Sequence, residues 1–155
     1  NCKGLNITIP FKQKVFDMCS EISPVAKKVK AINTLKLNDN KDWIGTNTDI
    51  DGFELAIRDA NYDVEGKKIL ILGAGGVVPS IIFALYKMGV LSITISNRTK
   101  TKAENLKNLF KDLEVINWNE TSDFDMIINA TSIGLKKEDR LHLDFSKFQN
   151  CEFFL

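Results

Sequence analysis

Histidine is nearly absent from this sequence: His142, in the run RLHLDF, is the only one among 155 residues. Nucleophile–histidine chemistry would have to pass through it, and no GxSxG elbow accompanies it. Its neighbours alternate like a strand or loop edge, so His142 reads as an exposed or half-packed side chain. Cysteines are three, Cys2, Cys19 and Cys151, an odd number with no CxxC spacing. That argues against a disulfide framework or a zinc site and predicts no metal and a reducing, cytoplasmic setting. Charge of one sign is also missing, since 21 Lys+Arg face 20 Asp+Glu for a net +1. Such a balance supplies no field to hold nucleic acid or an anionic membrane. No stretch approaches the roughly 20 apolar residues of a membrane span. The opening NCKGLNITIP lacks initiator methionine and the basic head and apolar core of a signal peptide. With a close on CEFFL, both ends read as cuts, and the expectation is a piece of a longer protein.

What is present is an ordinary globular composition, 44% hydrophobic and 26% charged. Its rhythm changes near Gly66. Before that point Leu5–Ile9 alternates like a strand stopped by Pro10. Phe11–Cys19 sets Phe11, Val15, Phe16 and Cys19 on one helical face. Ser23-Pro24 opens a short helix as N-cap and first residue. Asn33–Leu37 and Trp43–Thr46 predict two strands around Asn38-Asp39-Asn40. A helix runs from Asp51 with Phe53, Ile57 and Ala60 inward, and Asn61–Gly66 is a polar boundary. After Lys68 strands and helices alternate. Ile69–Leu72 is a continuous apolar run suited to a strand covered on both faces. Val77–Met88 is helical and stops at Gly89, Ile93–Ser96 is a strand, and Lys102–Phe110 is a helix with Ala103, Leu106 and Phe110 inward. Glu114–Trp118, Asp125–Asn129 and a start at Phe153–Leu155 complete the strands. The fold class is α/β: a partial α/β lobe over residues 1–65, then a Rossmann-like, doubly wound lobe over 66–155, incomplete at its C-terminus.

Gly73-Ala74-Gly75-Gly76 lies between the first strand and first helix of the second half. Glycine there permits a sharp turn and lets a pyrophosphate approach backbone N–H groups. The helix starting near Val77 points its positive end at the same place. The match to GxGxxG is partial, because position 78 is Val. The next strand ends Ser96-Asn97-Arg98-Thr99. Where an NAD site carries an acid for the ribose 2′-hydroxyl, this sequence has Arg98, which pairs with a 2′-phosphate. Thr99 and Lys102 add a hydroxyl and a second positive charge. These residues predict NADP as the cofactor.

Six runs, Asn6–Lys12 (NITIPFK), Ala31–Thr34 (AINT), Gly45–Asp49 (GTNTD), Gly73–Gly76, Asn97–Thr99 and Asn129–Ser132 (NATS), resemble shikimate dehydrogenase in order and spacing. The resemblance implies a substrate lobe before an NADP lobe, with catalysis in the cleft. It implies reversible NADP-linked reduction of 3-dehydroshikimate to shikimate, a step toward aromatic amino acids. Lys12 and Asp49 would be the catalytic pair, and Thr8 and Asn33 would join them at the substrate. The cofactor-binding set would be Gly73, Ala74, Gly75, Gly76, Val77, Asn97, Arg98, Thr99, Lys102 and Thr131. No nucleic acid, membrane or metal partner is implied. The family's leading strand–helix segment, with carboxylate-binding serines, and its later strands and glutamine-bearing closing helix do not occur here. The 155 residues alone are therefore expected to bind the adenine end of NADP and to turn over little.

The chemistry of the pair stands by itself. Ketone reduction builds negative charge on oxygen, which a proton donor relieves. Lys12 can donate as an ammonium and accept in reverse, while Asp49 holds it and takes a substrate hydroxyl. Taken singly, Lys12 reads as a surface lysine and Asp49 as a helix N-cap. Three alternatives remain open: a dehydrogenase for a related polyol acid such as quinate, glutamyl-tRNA reductase, which lacks the NITIPFK and NTD runs, and a non-catalytic NADP-binding module.

Overall fold

The computed structural model describes residues 2–120, 122–144, 146, 148 and 150–155. Two sheets are built in succession. The first contains β1 (Gly4–Asn6), β2 (Glu21–Ile22), β3 (Thr34–Leu37) and β4 (Trp43–Thr46) in the order β1-β3-β4-β2. Pairing is antiparallel except for β2 on β4. Its core is Val15, Ala26, Ile32 and Leu35. The strand expected over Leu5–Ile9 is shorter, because the chain leaves the ladder for a turn closed by Phe11 N–H donating to the Thr8 carbonyl at 2.8 Å. The amphipathic helix expected over Phe11–Cys19 is absent. Turns and a single 3₁₀ turn, Phe16–Met18, take its place. The Lys12 carbonyl, which such a helix needs for Phe16, accepts Ile32 N–H at 2.8 Å instead. Only Val15 of the proposed apolar face is buried. β2 went unforeseen, since two residues carry no readable period.

Helix α1 (Pro24–Val29) starts as its sequence dictates. Ser23 Oγ accepts Ala26 N–H at 3.3 Å and Pro24 opens the first turn. α2 (Asp49–Asp59) begins two residues before the expected Asp51, with Thr48 at the N-cap position. Its inward residues are Ile50, Glu54 and Ile57; Ala60, expected inward, is the exposed C-cap. That exposes an error in reading the period rather than the element: Glu54 is buried because Lys87 donates to both its oxygens at 2.8 and 3.0 Å.

The second sheet is wholly parallel: β5 (Lys68–Leu72), β6 (Ser92–Ser96), β7 (Glu114–Ile116), β8 (Met126–Asn129) and β9 (Phe153–Phe154), ordered β7-β6-β5-β8-β9. The chain starts in the middle, winds to one edge and returns to the other, as a doubly wound sheet does. Helices α3 (Val78–Lys87) and α4 (Lys100–Leu106) cover the face bearing Ile69, Ile71, Ile93 and Ile95. Leu70, Leu72 and Ile127 face Phe124 and Phe148 on the other side. α3 ends at Met88, and Gly89 follows with φ +82°, the left-handed residue foreseen for its stop. α4 is shifted toward the N-terminus of its expected range, so Phe110 is buried but lies beyond the helix. β7 stops before Asn117, whose N–H leaves the ladder to donate to Glu120 at 2.7 Å.

α3 is buried on two sides. Val78, Ile82 and Leu85 pack on the parallel sheet, and Ala84 joins Val29, Ala31 and Ile50 of the first half. Lys28 adds a cation–π contact to Phe83 at 4.8 Å. The connection from α2 to β5 is tied at the opposite end of the sheet. Lys67 Nζ donates to Glu152 Oε2 at 2.7 Å, and Tyr62 donates to the same oxygen at 3.0 Å while stacking on Phe153. The Lys67 bond, then the Tyr62 bond, holds the Glu152 carboxyl below its ordinary value of 4.5. Burial, then Glu152, raises the Tyr62 phenol.

The sign for Glu152 follows from its lowered folded value: its contribution to stability is present above pH 4.5 and is lost as pH falls through the lowered value. Glu152→Gln should therefore lower the urea midpoint at neutral pH, and the gap to the unmodified chain should close on acidification. Parallel midpoint curves across that range would show that the latch contributes nothing.

Candidate active site

Lys12, Asn33 and Asp49 meet in one hydrogen-bonded group. Lys12 Nζ donates to Asp49 Oδ2 at 2.8 Å, and Asn33 Nδ2 donates to Asp49 Oδ1 at 2.8 Å. The Lys12 and Asp49 side chains keep 13% and 22% of their exposure, so the pair is shielded yet reachable. Backbone bonds set each member. Lys12 is pinned through its carbonyl to Ile32, the neighbour of Asn33. Asn33 enters β3 with its N–H on the Thr46 carbonyl at 3.1 Å, and its own carbonyl accepts Ile7 N–H. Its Oδ1 accepts Thr48 N–H at 3.0 Å and the Thr34 hydroxyl at 2.9 Å. Asp49 is the first residue of α2, where a carboxylate also gains from the helix dipole. It is not the N-cap; Thr48 is, and Asn47 Oδ1 accepts Asp49 N–H at 3.0 Å. Among the described residues no second acceptor takes the Lys12 ammonium, which keeps two N–H bonds for another partner.

The glycine turn leaves the C-terminal end of β5 beside this group. Gly73 has φ +111°, and a methyl group built on it would stand 2.7 Å from the Ala130 carbonyl oxygen. The crossing of β8 thus requires glycine there. Gly75 and Gly76 differ: a methyl on Gly75 would meet nothing closer than 4.0 Å, and one on Gly76 would lie 3.9 Å from Cβ and Cδ of Lys12. Nothing among the described residues crowds these two. Ala74 is half-buried, and Val77 precedes the first turn of α3. Among the described residues the backbone N–H groups of Gly75, Gly76 and Val77 meet no acceptor. They form an open rim at a helix N-terminus.

The neighbouring strand ends complete that rim. Leu72 is paired with Ser96 on one side and Asn129 on the other. Asn97 follows Ser96 and donates from Nδ2 to the Thr99 carbonyl at 2.8 Å. Arg98, Thr99 and Lys102 are exposed, and Arg98 has no ionic or hydrogen-bonding partner among the described residues. Thr131 lies past β8, with its hydroxyl on Asn129 Oδ1 at 2.7 Å and accepting Ile133 N–H at 3.0 Å. Thr8 is exposed before the turn at Phe11, and its hydroxyl makes no bond to the lysine group. His142 is exposed, as expected. No metal-ligating cluster is found among the described residues, and no helix there is long and apolar enough to cross a membrane. The sequence reading missed the bracing roles of Asn47, Thr48 and Asn129, although all three sit inside the runs it singled out. It had no signal for Ser80, which lies in the first turn of an apolar helix.

A sheet wound both ways from β5, a glycine turn at the reversal and a Lys–Asp pair against that turn define a Rossmann-like α/β chain with its polar cleft at the switch point. A family model described as shikimate/quinate 5-dehydrogenase matches residues 54–137, and one described as the shikimate dehydrogenase substrate binding domain matches residues 1–35. The chain belongs to the shikimate/quinate 5-dehydrogenase family. It is 51% identical over 151 residues to the shikimate dehydrogenase (NADP(+)) of Pelagibacter ubique, covering 97% of this chain and 57% of that protein. The crystal structure of shikimate dehydrogenase from Aquifex aeolicus superposes with a TM-score of 0.87 at 31% identity, covering 98% of this chain and 65% of that one. The Thermus thermophilus shikimate 5-dehydrogenase in complex with NADP(H) and shikimate gives 0.82 at 29% identity, covering 94% and 54%. The chain thus spans between half and two thirds of the length of these three proteins.

The two kinds of glycine make separable predictions. Gly73→Ala should cost about 2–4 kcal/mol of folding stability, from positive φ and backbone overlap together. Gly75→Ala should stay within about 1 kcal/mol of the unmodified chain. Urea unfolding of both variants checks this, and equal losses would show that the turn is not divided in this way.

Proposed function

We propose that the protein is an NADP-dependent oxidoreductase that reversibly reduces 3-dehydroshikimate to shikimate, in the route to aromatic amino acids. The observation that carries this is the Lys12–Asp49–Asn33 group lying against the glycine turn, with two ammonium N–H bonds free. The first half, residues 1–65, is the substrate side and residues 66–155 the nucleotide side. Three free thiols, Cys2, Cys19 and Cys151, suit a reducing, cytoplasmic compartment.

The residues present fit NADP. Gly75 and Gly76 leave room where a Cβ would intrude on a pyrophosphate, and the free N–H groups from Gly75 to Val77 supply donors. Gly73 and Ala74 shape the turn. Arg98, exposed and unpaired at the end of β6, is available to a 2′-phosphate, with Thr99 and Lys102 beside it and Asn97 bracing the loop. Thr131 borders the same rim. When bound, the nicotinamide supplies the hydride.

The chain supplies the proton and the orientation. As the ketone becomes an alcohol, Lys12 Nζ donates a proton to the oxygen that gains charge; in the oxidative direction the neutral amine takes it back. Asp49 Oδ2 keeps the ammonium aimed and accepts a hydroxyl hydrogen bond from the ring. Asn33 fixes the other carboxylate oxygen, so the carboxylate cannot turn away, and Thr8 adds a hydroxyl at the rim. The resemblance of the Asn6–Lys12 and Gly45–Asp49 runs to shikimate dehydrogenase supports the same roles here.

In the full-length protein, Lys12→Ala should lower kcat by about 10²–10⁴ with little change in NADPH affinity. NADPH formation from shikimate and NADP⁺, followed by absorbance, measures it, and near-normal turnover would remove lysine from the mechanism. Quinate in the same assay tests the related substrate. Arg98→Asp should shift the NADP/NAD preference by about 2–4 kcal/mol. Equal use of NAD⁺ and NADP⁺ by the unmodified protein would end the assignment of Arg98.

A further inference from the structure

Asn47 is 3% exposed and Ser80 is fully buried. The Asn47 amide bonds to the loop after α1, to the first residue of α2 and to the first turn of α3. Nδ2 donates to the Ala31 carbonyl at 2.9 Å and to Ser80 Oγ at 3.0 Å, and Oδ1 accepts Asp49 N–H at 3.0 Å. A carbonyl oxygen can only accept, so Ala31 fixes which way the amide faces, and Oδ1 is left for Asp49. Ser80 stands in the first turn of α3, four residues after Gly76, among Val78, Ile81 and Ile82. Alanine would fill that position with higher helix propensity and no polar atom to bury. The hydroxyl therefore has a use that packing does not supply.

We propose that the buried Asn47–Ser80 hydrogen bond is a strut that sets Asp49 against the start of α3, making Ser80 a positioning residue for the Lys12–Asp49 pair. The inference rests on the reading of that pair given above. The path is short. The turn of α3 that borders Gly76 carries Ser80; Ser80 holds Asn47; Asn47 holds the backbone of Asp49. Asn33 secures the Asp49 carboxylate from the other side, and it belongs wholly to the first half. Among the described residues the strut is the side-chain hydrogen-bond path from the backbone of Asp49 to the half that carries the glycine turn. Removing the Ser80 hydroxyl leaves an Asn47 N–H buried without a partner and frees the amide to rotate, and small displacements of a proton-transfer group cost rate steeply.

The test uses the full-length protein with Ser80→Ala, Asp49→Asn and the two combined. Ser80→Ala should lower kcat for shikimate oxidation by about tenfold and leave the KM for NADP⁺ within about twofold. In the Asp49→Asn background the same change should alter kcat by less than about twofold, because the residue it positions is gone. Amide hydrogen exchange gives a readout independent of turnover. Asp49 N–H should exchange at least about tenfold faster in Ser80→Ala, with Ile82–Leu85 and β5 unchanged as controls for folding. An unaltered Asp49 amide, or a tenfold loss that persists without Asp49, would overturn the proposal. A protein whose Asp49 amide responds as expected but which oxidises no shikimate would keep the strut and remove the functional reading.

Discussion

The two-sided burial of α3 is the constraint on which the rest of the structure depends. Seven of its ten residues, from Val78 to Leu85, are buried, and Phe83 and Tyr86 are half-buried. A helix apolar all round must be enclosed, and here the parallel sheet takes one side and α1 and α2 the other. The first sheet alone buries only a small core, Val15, Ala26, Ile32 and Leu35. Docking on α3 gives Val29, Ala31 and Ile50 the apolar partners that this small sheet cannot provide. The same docking brings the loop before α2 against the start of α3, and the Lys–Asp pair forms there.

Two side-chain polar pairs cross this junction among the described residues. Glu54 meets Lys87 near the end of α3, and Asn47 meets Ser80 near its beginning. Breaking such a bond leaves a buried group unpaired, which costs more than the bond contributes when made. The junction therefore fixes one relative placement of α2 and α3 instead of allowing the sliding that apolar contact alone permits. The Lys12–Asp49 pair and the glycine turn are held at that fixed placement.

The rim itself combines a tight crossing with openness. Gly73 adopts a positive φ under the Ala130 carbonyl, where no Cβ fits. Gly75 and Gly76 are free of such pressure and lie open beside Lys12. One run of four residues thus serves two physical demands: the first glycine belongs to the crossing of strands, the later two to whatever approaches the backbone.

Most of the second half was legible in the sequence. Its central strand β5 carries a continuous apolar run ending at glycines, the pattern that a strand covered on both faces requires. The N-cap of α1, the C-terminal glycine of α3 and the glycine turn were legible for the same reason, since each is dictated by local backbone geometry. Elements that depend on distant partners were not. The expected helix over Phe11–Cys19 gave way because Ile32 claims the Lys12 carbonyl, and Glu54 is buried because Lys87 reaches it from another helix. The residue types of the Lys–Asp pair and of the rim could be named from their runs, but Lys12 and Asp49 stand 37 positions apart. Local pattern carries no information about such a distance. Only the docking of the first half on α3 brings the lysine, the aspartate and the glycine turn together, because only there does each half bury the apolar surface the other leaves exposed.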